Sequence, residues 1–522
     1  MPKLIAVKPL KGSILSYFKG TPRAVQVYAL QSIEEQWEQA DVFVIEAATA
    51  SGKTKIMSCV ARWAASKKLK AHIAVPNNVL LQQVEQTEKL FTLKSKDSYT
   101  CTLQTFEKPG SRAKTCKERH AIAAEHCAGC PYIAAVRRSH ASPFSLSNYH
   151  TMMAHKLQKD VVLIDEAHLL LPLIVELESK HVWLPVDAMS KSLLPERINT
   201  YGKLRDYVTR HADTLTGKVW NTLREELVDG RERYLIKRGE RNYHSSSKDA
   251  LTLIPIDTSH SEKSLQLFPP KKVKKLLLLS GTINEVDVKQ LGLAGRRVVT
   301  IRCTSPIPVE RRPIMRSYLS APVTFTQCES SLFLKEIANK VLELCEKHAD
   351  TNILVHAPYG LAAKLKPLLT PLGERLLTHE KYDKRKQLDK FTSTGQSDEE
   401  VSAVTEGNLE ELAHKDSRGT LYRVLLGSGM EEGLDLAGED FQMQIICKIP
   451  FQSLAEPAWK WVAKEDPDRY MWEALKKVVQ ACGRICRGPE DYGMTYVLDS
   501  SLERVMTAGS HLVPQYFKEA LV

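Results

Sequence analysis

Asp41-Val-Phe-Val-Ile-Glu-Ala-Ala-Thr-Ala-Ser-Gly-Lys-Thr54 is the stretch that decides the fold of this chain. Its apolar run, Val42–Ile45, is typical of a short buried strand, and the small-residue loop 47–51 leads into a helical pattern that opens at Gly52. Backbone N–H groups and a helix N-terminus can cradle an anion, so this succession predicts a phosphate-binding loop. The first glycine usual in such loops is replaced by Ala47, and alanine serves there if the position does not need a positive φ.

The side chains of this loop point to a nucleotide ligand. Lys53 is expected to reach the β- and γ-phosphates of ATP, and the Thr54 hydroxyl is expected to bind Mg²⁺. Arg23 and Gln26 open a helix predicted over residues 20–40, where they would contact the nucleotide base; a solvated helix start is the alternative. The remaining contacts would come from the loop itself, through Ala48, Thr49, Ala50, Ser51 and Gly52.

The length and composition limit which class of protein this chain belongs to. A length of 522 residues suggests three to four domains, and 43% apolar with 26% charged residues is an ordinary globular composition. The net charge of +11 fits a polyanionic partner, although a merely basic protein would have it too. The segment Met1–Gly20 has no signal-peptide core, and no apolar run is long enough for a bilayer. We therefore expect no membrane partner and a cytoplasmic protein, prokaryotic or encoded by a virus, or a nuclear one if eukaryotic.

A cluster of cysteines interrupts the strand-and-helix pattern. No strand or long amphipathic helix is predicted between Lys94 and His140, and this basic stretch has too little apolar content for its own core. A four-thiolate metal centre would supply the missing stabilisation. Tetrahedral sulfur suits either Zn²⁺ or an iron–sulfur cluster, and spacing does not choose between them. The four cysteines, spaced C-x14-C-x10-C-x2-C, are Cys101, Cys116, Cys127 and Cys130.

An acidic motif follows another predicted buried strand. The apolar run from Val161 ends in Asp165-Glu166-Ala-His168. An aspartate at a strand end can hold the Mg²⁺ that Thr54 binds, and the next glutamate can orient and deprotonate the attacking water. Two acids that close an apolar strand downstream of a phosphate-binding loop therefore predict nucleotide hydrolysis.

Strands and helices alternate through much of the chain, which predicts an α/β fold with parallel sheets. The runs Ala71–Pro76 and Lys274–Ser280 extend the first sheet, and residues 169–272 are mainly helix formers with a few strands near 233–258. A second α/β unit begins near residue 300, with strand candidates at Asn352–His356, Arg423–Leu426, Gln444–Ile449 and Met494–Leu498.

Two motifs of the second unit carry charge. A Gly-rich turn after residue 426 ends at Asp435, a candidate nucleotide contact. Near the C-terminus, Gln480, Arg484 and Arg487 have helical spacing, which predicts that they share one helix face. Two arginines presented together suit the charge that develops on a transferring γ-phosphate.

Together these motifs resemble the superfamily 2 DNA helicases of the XPD/DinG type, which carry an iron–sulfur cluster. The Ser-Gly-Thr motif and the cysteine insert distinguish that group from RNA helicases with the same Asp-Glu-Ala-His (DEAH) box, and the short chain resembles a compact prokaryotic or viral member. The resemblance runs from Arg23 to about Leu502, with the motifs in the family's order: the phosphate-binding loop, Cys130-Pro131-Tyr132, Ser147-Asn148-Tyr149, Asp165-Glu166-Ala167-His168, Ser280-Gly281-Thr282, Glu432-Gly433-Leu434-Asp435, Ile449-Pro450-Phe451 and Gln480-x-x-Gly483-Arg484-x-x-Arg487.

The resemblance implies two RecA-like parallel-sheet domains with ATP between them, the first carrying an iron–sulfur insert and a mainly helical arch insert. The arch is short and the cysteine spacing compact for the family. The implied boundaries are 1–94 for the first part of RecA-like domain 1 with the P-loop, 95–145 for the iron–sulfur cluster domain, 146–170 for the DEAH strand of domain 1, 171–272 for the arch domain, 273–300 for the last part of domain 1, and 301–522 for RecA-like domain 2.

It also implies residue roles. Lys53 and Thr54 would bind phosphate and Mg²⁺, with Asp165 as a second Mg²⁺ ligand and Glu166 activating water. The second domain would complete the site with Gln480, Arg484 and Arg487; His168, Ser280 and Thr282 would couple hydrolysis to domain movement; and a [4Fe–4S] cluster would be held by Cys101, Cys116, Cys127 and Cys130.

The implied function is ATP-dependent 5′ to 3′ translocation on single-stranded DNA by a monomer that unwinds duplex with a single-stranded tail, with protein partners unknown. Three alternatives stay open: a zinc-containing RNA helicase, a translocase that does not separate strands, and a non-catalytic DNA-binding scaffold. Intact Lys53, Glu166, Arg484 and Arg487 count against the scaffold.

Overall fold

The computed structural model describes residues 12–88, 90–99, 129–183, 198, 200–213, 215, 218–227, 234–240, 249–380, 382–392, 421–430, 436, 441–486, 488 and 490–522. They form two compact units. Each unit is built on a parallel sheet with helices between successive strands, so the predicted fold class of two parallel-sheet α/β domains is confirmed.

The described strands form three sheets. They are β1 (Val42–Glu46), β2 (Ala71–Val75), β3 (Thr92–Leu93), β4 (Phe144–Asn148), β5 (Val161–Ile164), β6 (Lys180–Trp183), β7 (Tyr234–Glu240), β8 (Asp249–Pro255), β9 (Lys275–Ser280), β10 (Val298–Arg302), β11 (Ile314–Arg316), β12 (Ile353–His356), β13 (Leu376–Thr378), β14 (Val424–Gly427), β15 (Met443–Ile446) and β16 (Met494–Val497).

None of the described helices is both long enough and apolar enough to cross a bilayer. They are α1 (Ala24–Glu35), α2 (Lys53–Ser66), α3 (Asn78–Glu88), α4 (Pro131–Ala141), α5 (Tyr149–Ala154), α6 (Leu170–Glu178), α7 (Tyr201–Arg210), α8 (Lys218–Leu227), α9 (Glu262–Leu267), α10 (Glu285–Gln290), α11 (Ser331–Lys347), α12 (Tyr359–Leu365), α13 (Lys384–Thr392), α14 (Pro457–Glu465), α15 (Pro467–Cys482), α16 (Ser501–Ala508) and α17 (Gln515–Ala520).

The first unit contains the seven-stranded sheet, in the order β10-β1-β9-β5-β2-β4-β3, with every pair parallel. Strands β1, β2, β5 and β9 are buried along their whole length, as their continuous apolar runs predict for strands covered on both faces. Because all strands run the same way, the loops after β1, β5 and β9 open at one edge of the sheet.

The second unit contains the six-stranded sheet, in the order β11-β16-β15-β12-β14-β13, again with every pair parallel. All four strand candidates of this unit are found as β12, β14, β15 and β16. A buried apolar cluster on this sheet includes Ile337 and Val341 of α11 and Val355 of β12. The sheet is therefore covered by helices in the same manner as the first.

The segment predicted as a mainly helical insertion has a small core of its own. Helices α7 and α8 pack on the antiparallel sheet β6-β8-β7, with Leu204, Leu223 and Leu253 among the buried side chains. Strands β7 and β8 fall where a few strands were expected near 233–258, and β6 adds a strand that the sequence pattern did not predict.

One secondary-structure prediction is wrong in part. Helix α4 lies in the stretch Lys94–His140, where no long amphipathic helix was predicted. Pro131 occupies the first turn, where its missing N–H costs nothing, and so favours a helix start that the sequence reading overlooked. Short strands such as β3 and β13 were also missed, because two or three residues carry too little periodicity to be recognised.

Inside the first sheet lies a polar chain. The fully buried imidazole of His72 on β2 has its two ring nitrogens 2.9 Å from Ser145 Oγ and 3.0 Å from Ser147 Oγ on β4. Lys159 Nζ donates to Ser145 Oγ at 2.8 Å and to the Ser142 carbonyl at 2.9 Å. Burial lowers the pKa of His72 well below 6.5, so the ring is neutral, with one nitrogen donating and the other accepting.

Helix α2, which follows the phosphate-binding loop, is braced by a buried carboxylate. The side chain of Glu88 at the end of α3 is 1% exposed, and its oxygens lie 2.6 Å from Arg62 Nη2 and 3.0 Å from Lys55 Nζ. Burial favours the protonated acid, but the hydrogen bonds from Arg62 and Lys55 outweigh it and hold the pKa of Glu88 below its ordinary 4.5. The ion pairs therefore fix α2 to α3.

We predict that Glu88→Gln destabilises the chain by about 2 kcal/mol at pH 7, because it leaves two cations beside a neutral amide in a buried site. Since the folded-state pKa is depressed, Glu88 contributes its stability above the unfolded-state pKa, and that contribution is lost as the pH falls through the folded-state value. The midpoint of urea unfolding at pH 7 and at pH 3.5 measures both effects.

Glu85→Gln is the matched control for this prediction. Glu85 lies on the same helix and pairs with Lys94 at 2.9 Å, but its side chain is 33% exposed. An exposed pair contributes at most about 0.5 kcal/mol, so this variant should unfold near the wild-type midpoint. Equal effects of the two substitutions would contradict the role given to Glu88.

Candidate active site

The phosphate-binding loop has the predicted backbone. Within residues 47–52, all of which are described, positive φ occurs at Ala50 (65°) and at Gly52 (76°), and Gly52 precedes the first residue of α2. The Ser51 hydroxyl is buried and donates to the Ala48 carbonyl at 2.7 Å. Positive φ does not occur at Ala47, so replacement of the usual glycine there imposes no strain.

Gln26, in the first turn of α1, lies against this loop. A β-carbon built on Gly52 would be 2.2 Å from Gln26 Nε2, so the glutamine amide packs directly on the glycine. The Arg23 backbone N–H donates to Gln26 Oε1 at 2.9 Å. Glycine at position 52 is therefore required both for its φ and for the close approach of Gln26.

The two acids after β5 have different environments. Asp165 is 4% exposed, and its N–H donates to the Ala74 carbonyl at 2.9 Å, which keeps its backbone within the sheet. Glu166 leaves the sheet with φ 46°, a left-handed conformation that costs a non-glycine residue on the order of 1–2 kcal/mol. Its carboxylate is 30% exposed and lies 3.2 Å from Lys53 Nζ. The loop after β1 and the loop after β5 are thus joined by an ion pair.

Burial and the neighbouring Glu166 carboxylate raise the pKa of Asp165 to about 7, against the opposing effect of Lys53. A buried carboxyl with this pKa is a good fit for a divalent cation, because bound metal favours the ionised form. Lys53, with a side chain 13% exposed beside an open carboxylate, fits a phosphate. Asp165 and Lys53, together with the Thr54 hydroxyl at the start of α2, would hold Mg²⁺ and ATP.

Ser280, at the end of β9, contacts the histidine of the same motif. Ser280 is fully buried, and its Oγ lies 2.7 Å from His168 Nδ1 and accepts from the Thr282 N–H at 3.0 Å. His168 Nδ1 also lies 3.4 Å from Glu166 Oε2. The carboxylate of Glu166 is therefore placed between a lysine of one loop and a histidine that is bonded to another.

A tyrosine that the sequence reading gave no role also contacts this turn. Tyr149 begins α5 and is 2% exposed. Its hydroxyl donates to the Asp165 carbonyl and lies 3.2 Å from the Glu166 carbonyl. The available signal was its position directly after a strand of the same sheet, where parallel topology collects ligand-binding loops.

The candidates of the second unit are partly described. Gln480 lies in the last turn of α15 and is 9% exposed, whereas Arg484 follows the helix, which ends at Cys482. The prediction that Gln480 and Arg484 share a face of one helix is therefore wrong. Gly483 N–H bonds to both the Val479 and Gln480 carbonyls, a tight last turn that ends the helix before Arg484.

Other candidates lie outside the described residues: Asp435, Arg487, Cys101, Cys116 and Cys127. Cys130, the fourth cysteine, is a free, partly exposed thiol directly before α4. A partly exposed thiol at this position is compatible with a metal ligand. Across the described part of the chain, no three His, Cys, Asp or Glu side chains are grouped to hold a metal ion.

Two family profiles match the chain. Residues 360–518 match the family described as "Helicase C-terminal domain", and residues 19–172 match "Type III restriction enzyme, res subunit". The first range contains strands β13 to β16 of the six-stranded sheet, and the second contains the phosphate-binding loop and the Asp-Glu-Ala-His motif. No curated protein sequence matches the chain.

Solved structures of XPD proteins share the fold. The S. tokodaii protein Xpd4 is 14% identical, with a TM-score of 0.52 over 96% of this chain and 100% of that one. A structure named as the XPD helicase is 14% identical, with a TM-score of 0.54 over 95% of this chain and 97% of that one. At this identity the likeness establishes the fold.

The molecule thus has the two-sheet fold of the XPD structures. More particularly, the resemblance to the XPD/DinG type, inferred from the motifs, is confirmed by the two family matches and by the fold of the XPD structures. The helicase-family domains imply an ATP-dependent, Mg²⁺-using protein that acts on nucleic acid.

We predict that Asp165→Asn raises the melting temperature at pH 7.5, in the absence of nucleotide and Mg²⁺, by roughly 2–5 °C. Because the folded-state pKa is raised above the unfolded value, ionisation of Asp165 opposes folding increasingly from about pH 4 to pH 7. The asparagine removes that penalty, so the gain should fade as the pH approaches 4. Thermal unfolding between pH 4 and 8 measures it.

Asp160→Asn is a control for which we expect the opposite change in melting temperature. Burial raises the pKa of Asp160, but its hydrogen bonds with Lys274 and the Lys70 N–H dominate and leave the pKa below 3.8. The neutral variant at this position should therefore melt below the wild type at pH 7.5. A lower melting temperature for Asp165→Asn as well would refute the electrostatic account of the site.

Proposed function

We propose that the chain is an ATP-dependent DNA helicase that translocates 5′ to 3′ on single-stranded DNA and unwinds duplex with a single-stranded tail. The observation that carries this proposal is the convergence of Lys53, Asp165 and Glu166 at the carboxyl ends of β1 and β5. A lysine, a buried metal-binding acid and a partly exposed second acid are the parts that phosphoryl transfer needs from the protein.

Binding of ATP begins with an exchange of partners. Lys53 pairs with Glu166 at 3.2 Å. Lys53 then binds the β- and γ-phosphates in place of Glu166. The backbone amides of residues 48–52 and the start of α2 bind the remaining phosphate charge. Gln26, which packs against Gly52, and Arg23, whose N–H donates to Gln26 Oε1, contact the base. The exchange releases the Glu166 carboxylate for chemistry.

Hydrolysis then uses Glu166 as the group that orients and deprotonates water. Its carboxylate stays near His168, which is bonded to Ser280, so a change at the γ-phosphate reaches the loop after β9. Mg²⁺, held by Thr54 and Asp165, supplies charge neutralisation on the phosphates when bound. Gln480, Arg484 and Arg487 from the second RecA-like domain complete the charge stabilisation, with Asp435 as a further nucleotide contact.

The polarity, the DNA substrate and the domain boundaries of this proposal rest on the XPD/DinG resemblance. We assign 1–94, 146–170 and 273–300 to RecA-like domain 1 and 301–522 to RecA-like domain 2. The inserts are 95–145, the iron–sulfur domain, and 171–272, the arch. A net charge of +11 supports a polyanionic partner. We propose a monomer that acts in the cytoplasm of a prokaryote or a virus-infected cell, or in the nucleus if the protein is eukaryotic.

The cysteine insert would hold a [4Fe–4S] cluster through Cys101, Cys116, Cys127 and Cys130. When bound, the cluster supplies a rigid centre for a segment with little apolar content. Cys130 lies directly before α4, and that helix would connect the cluster to the first sheet domain.

We expect Lys53→Ala to abolish ATP hydrolysis. We expect Glu166→Gln to lower kcat by at least about 100-fold. Lys53→Ala removes the side chain that binds the phosphates, and Glu166→Gln removes the carboxylate that deprotonates water. ATP turnover should be measured with single-stranded DNA and with RNA of the same sequence, and strand separation with 5′-tailed and 3′-tailed duplexes. We expect stimulation by DNA and unwinding of the 5′-tailed substrate.

Lys340→Ala is the matched control. Lys340 is a lysine of α11 in the other sheet unit, paired with Glu343 at 2.9 Å on the same helix, and its loss should leave turnover intact. Unwinding by Lys53→Ala or Glu166→Gln would contradict the assignment of the active site. Stimulation by RNA alone would favour an RNA helicase, and DNA-stimulated turnover without strand separation would favour a translocase.

Iron and acid-labile sulfide should each be present at about four per chain in protein purified without oxygen, with brown colour. Cys130→Ser should lose both, because one thiolate of four is removed. Cys482→Ser, at the end of α15, should keep them. Zinc without iron would refute the cluster and leave the ATPase proposal standing with RNA as a serious substrate.

A further inference from the structure

We infer that Tyr149 is a positioning residue for the proposed ATPase reaction: its buried hydroxyl holds the strained turn that aims the Glu166 carboxylate. The inference rests on the proposed function for its kinetic consequence and on the described geometry for its structural one. The hydroxyl donates to the Asp165 carbonyl and also lies 3.2 Å from that of Glu166.

The two acids differ in how much else holds them. Asp165 is fixed by its N–H bond to the Ala74 carbonyl in the neighbouring strand. Glu166 lies beyond the strand, where its N–H donates to Asp165 Oδ1 at 3.0 Å and its carbonyl accepts from the Leu169 N–H at 2.9 Å and from Tyr149. These backbone contacts lie within the turn itself or come from Tyr149, whereas Asp165 is bonded to a neighbouring strand, so loss of the hydroxyl should disturb Glu166 more than Asp165.

The conformation of Glu166 explains why an additional bond is needed. Its φ of 46° and ψ of 49° are left-handed, which a residue with a β-carbon adopts only when the surroundings impose it. A turn that relaxed to an ordinary conformation would change the direction of the side chain that lies 3.2 Å from Lys53. Tyr149 supplies a contact on the inner side of that turn.

Helix α5, which carries Tyr149, is held at both ends. Asn148 Oδ1 accepts the Thr151 N–H at 2.8 Å and caps the helix, and its amide donates to Asn78 Oδ1 at 2.7 Å. At the other end, His155 Nε2 is hydrogen-bonded to the Tyr132 hydroxyl. A six-residue helix with both ends fixed offers a rigid support, so the hydroxyl is preorganised before nucleotide binds.

The chemistry of Tyr149 suits this role. Burial, followed by the Asp165 and Glu166 carboxylates, raises the pKa of its phenol well above 10, so the group remains a donor throughout the working pH range. Its two acceptors are backbone carbonyls, so the contact does not depend on the protonation of either acid.

Tyr149→Phe removes the hydroxyl and keeps the ring. We expect kcat for ATP to fall at least about tenfold, because misplacement of a reacting group by a fraction of an ångström is costly. Affinity for a non-hydrolysable ATP analogue should stay at the wild-type value, because Lys53 and Asp165 keep their positions. A merely structural role would instead lower affinity, kcat and melting temperature together.

Tyr201→Phe is the matched control, since the Tyr201 hydroxyl donates to the Glu226 carbonyl at 3.3 Å in the inserted domain and the residue is likewise buried. It should leave kcat unchanged. A second readout is independent of hydrolysis: amide hydrogen exchange in a peptide covering 165–170 should be faster in Tyr149→Phe than in wild type, because the Leu169 N–H bond depends on the same turn.

The outcomes separate the two proposals. A wild-type chain without ATPase activity overturns the proposed function, and the exchange measurement then decides the role of Tyr149 by itself. An active wild type with unchanged kcat and unchanged exchange in Tyr149→Phe overturns the inference. A fall in analogue affinity that matches the fall in kcat also overturns it, because the hydroxyl would then serve binding rather than the orientation of Glu166.

Discussion

Parallel pairing of β9 with both β1 and β5 is the constraint on which the site depends. The register aligns Glu46 with Ser280, and Ile164 with Leu278, so three chain segments far apart in sequence end at one edge of the sheet. Only in this order does the loop after β9 lie between the phosphate-binding loop and the acids after β5. Each strand is buried, so its position is fixed by packing on both faces and by hydrogen bonds to two neighbours.

Electrostatics complete what the sheet begins. The ion pair between Lys53 and Glu166 compensates both charges for the loss of solvation in a partly closed site. Asp165 is more deeply buried, and the compensation from Lys53 and from the Glu166 N–H at 3.0 Å is too weak to prevent a rise of its pKa to about 7. The pair of adjacent acids is thereby divided into one group suited to a metal and one suited to water, through environment alone.

Sequence reading succeeded where a long apolar run ends in reactive residues, as at β1, β5 and β9. Such runs signal buried strands without any knowledge of their neighbours. It failed for Arg484, because helical spacing continues past Gly483 although the helix does not. It gave no role to Tyr149 or His72, since the partners of a buried hydroxyl or imidazole are known only when the strand order is known. Asp435, Arg487 and three of the cysteines stay predictions.

The imidazole of His72 between two serines has a consequence for how the chain reaches its fold. Strands β2 and β4 must find each other across a long intervening segment, and β4 offers serines at alternate positions. A shift of one residue would turn both serines to the other face and leave the ring buried without partners, at a cost of about 1–3 kcal/mol for each lost contact. The histidine therefore destabilises any pairing of β2 and β4 that is shifted by one residue. It favours the correct register between two strands that are far apart in the sequence.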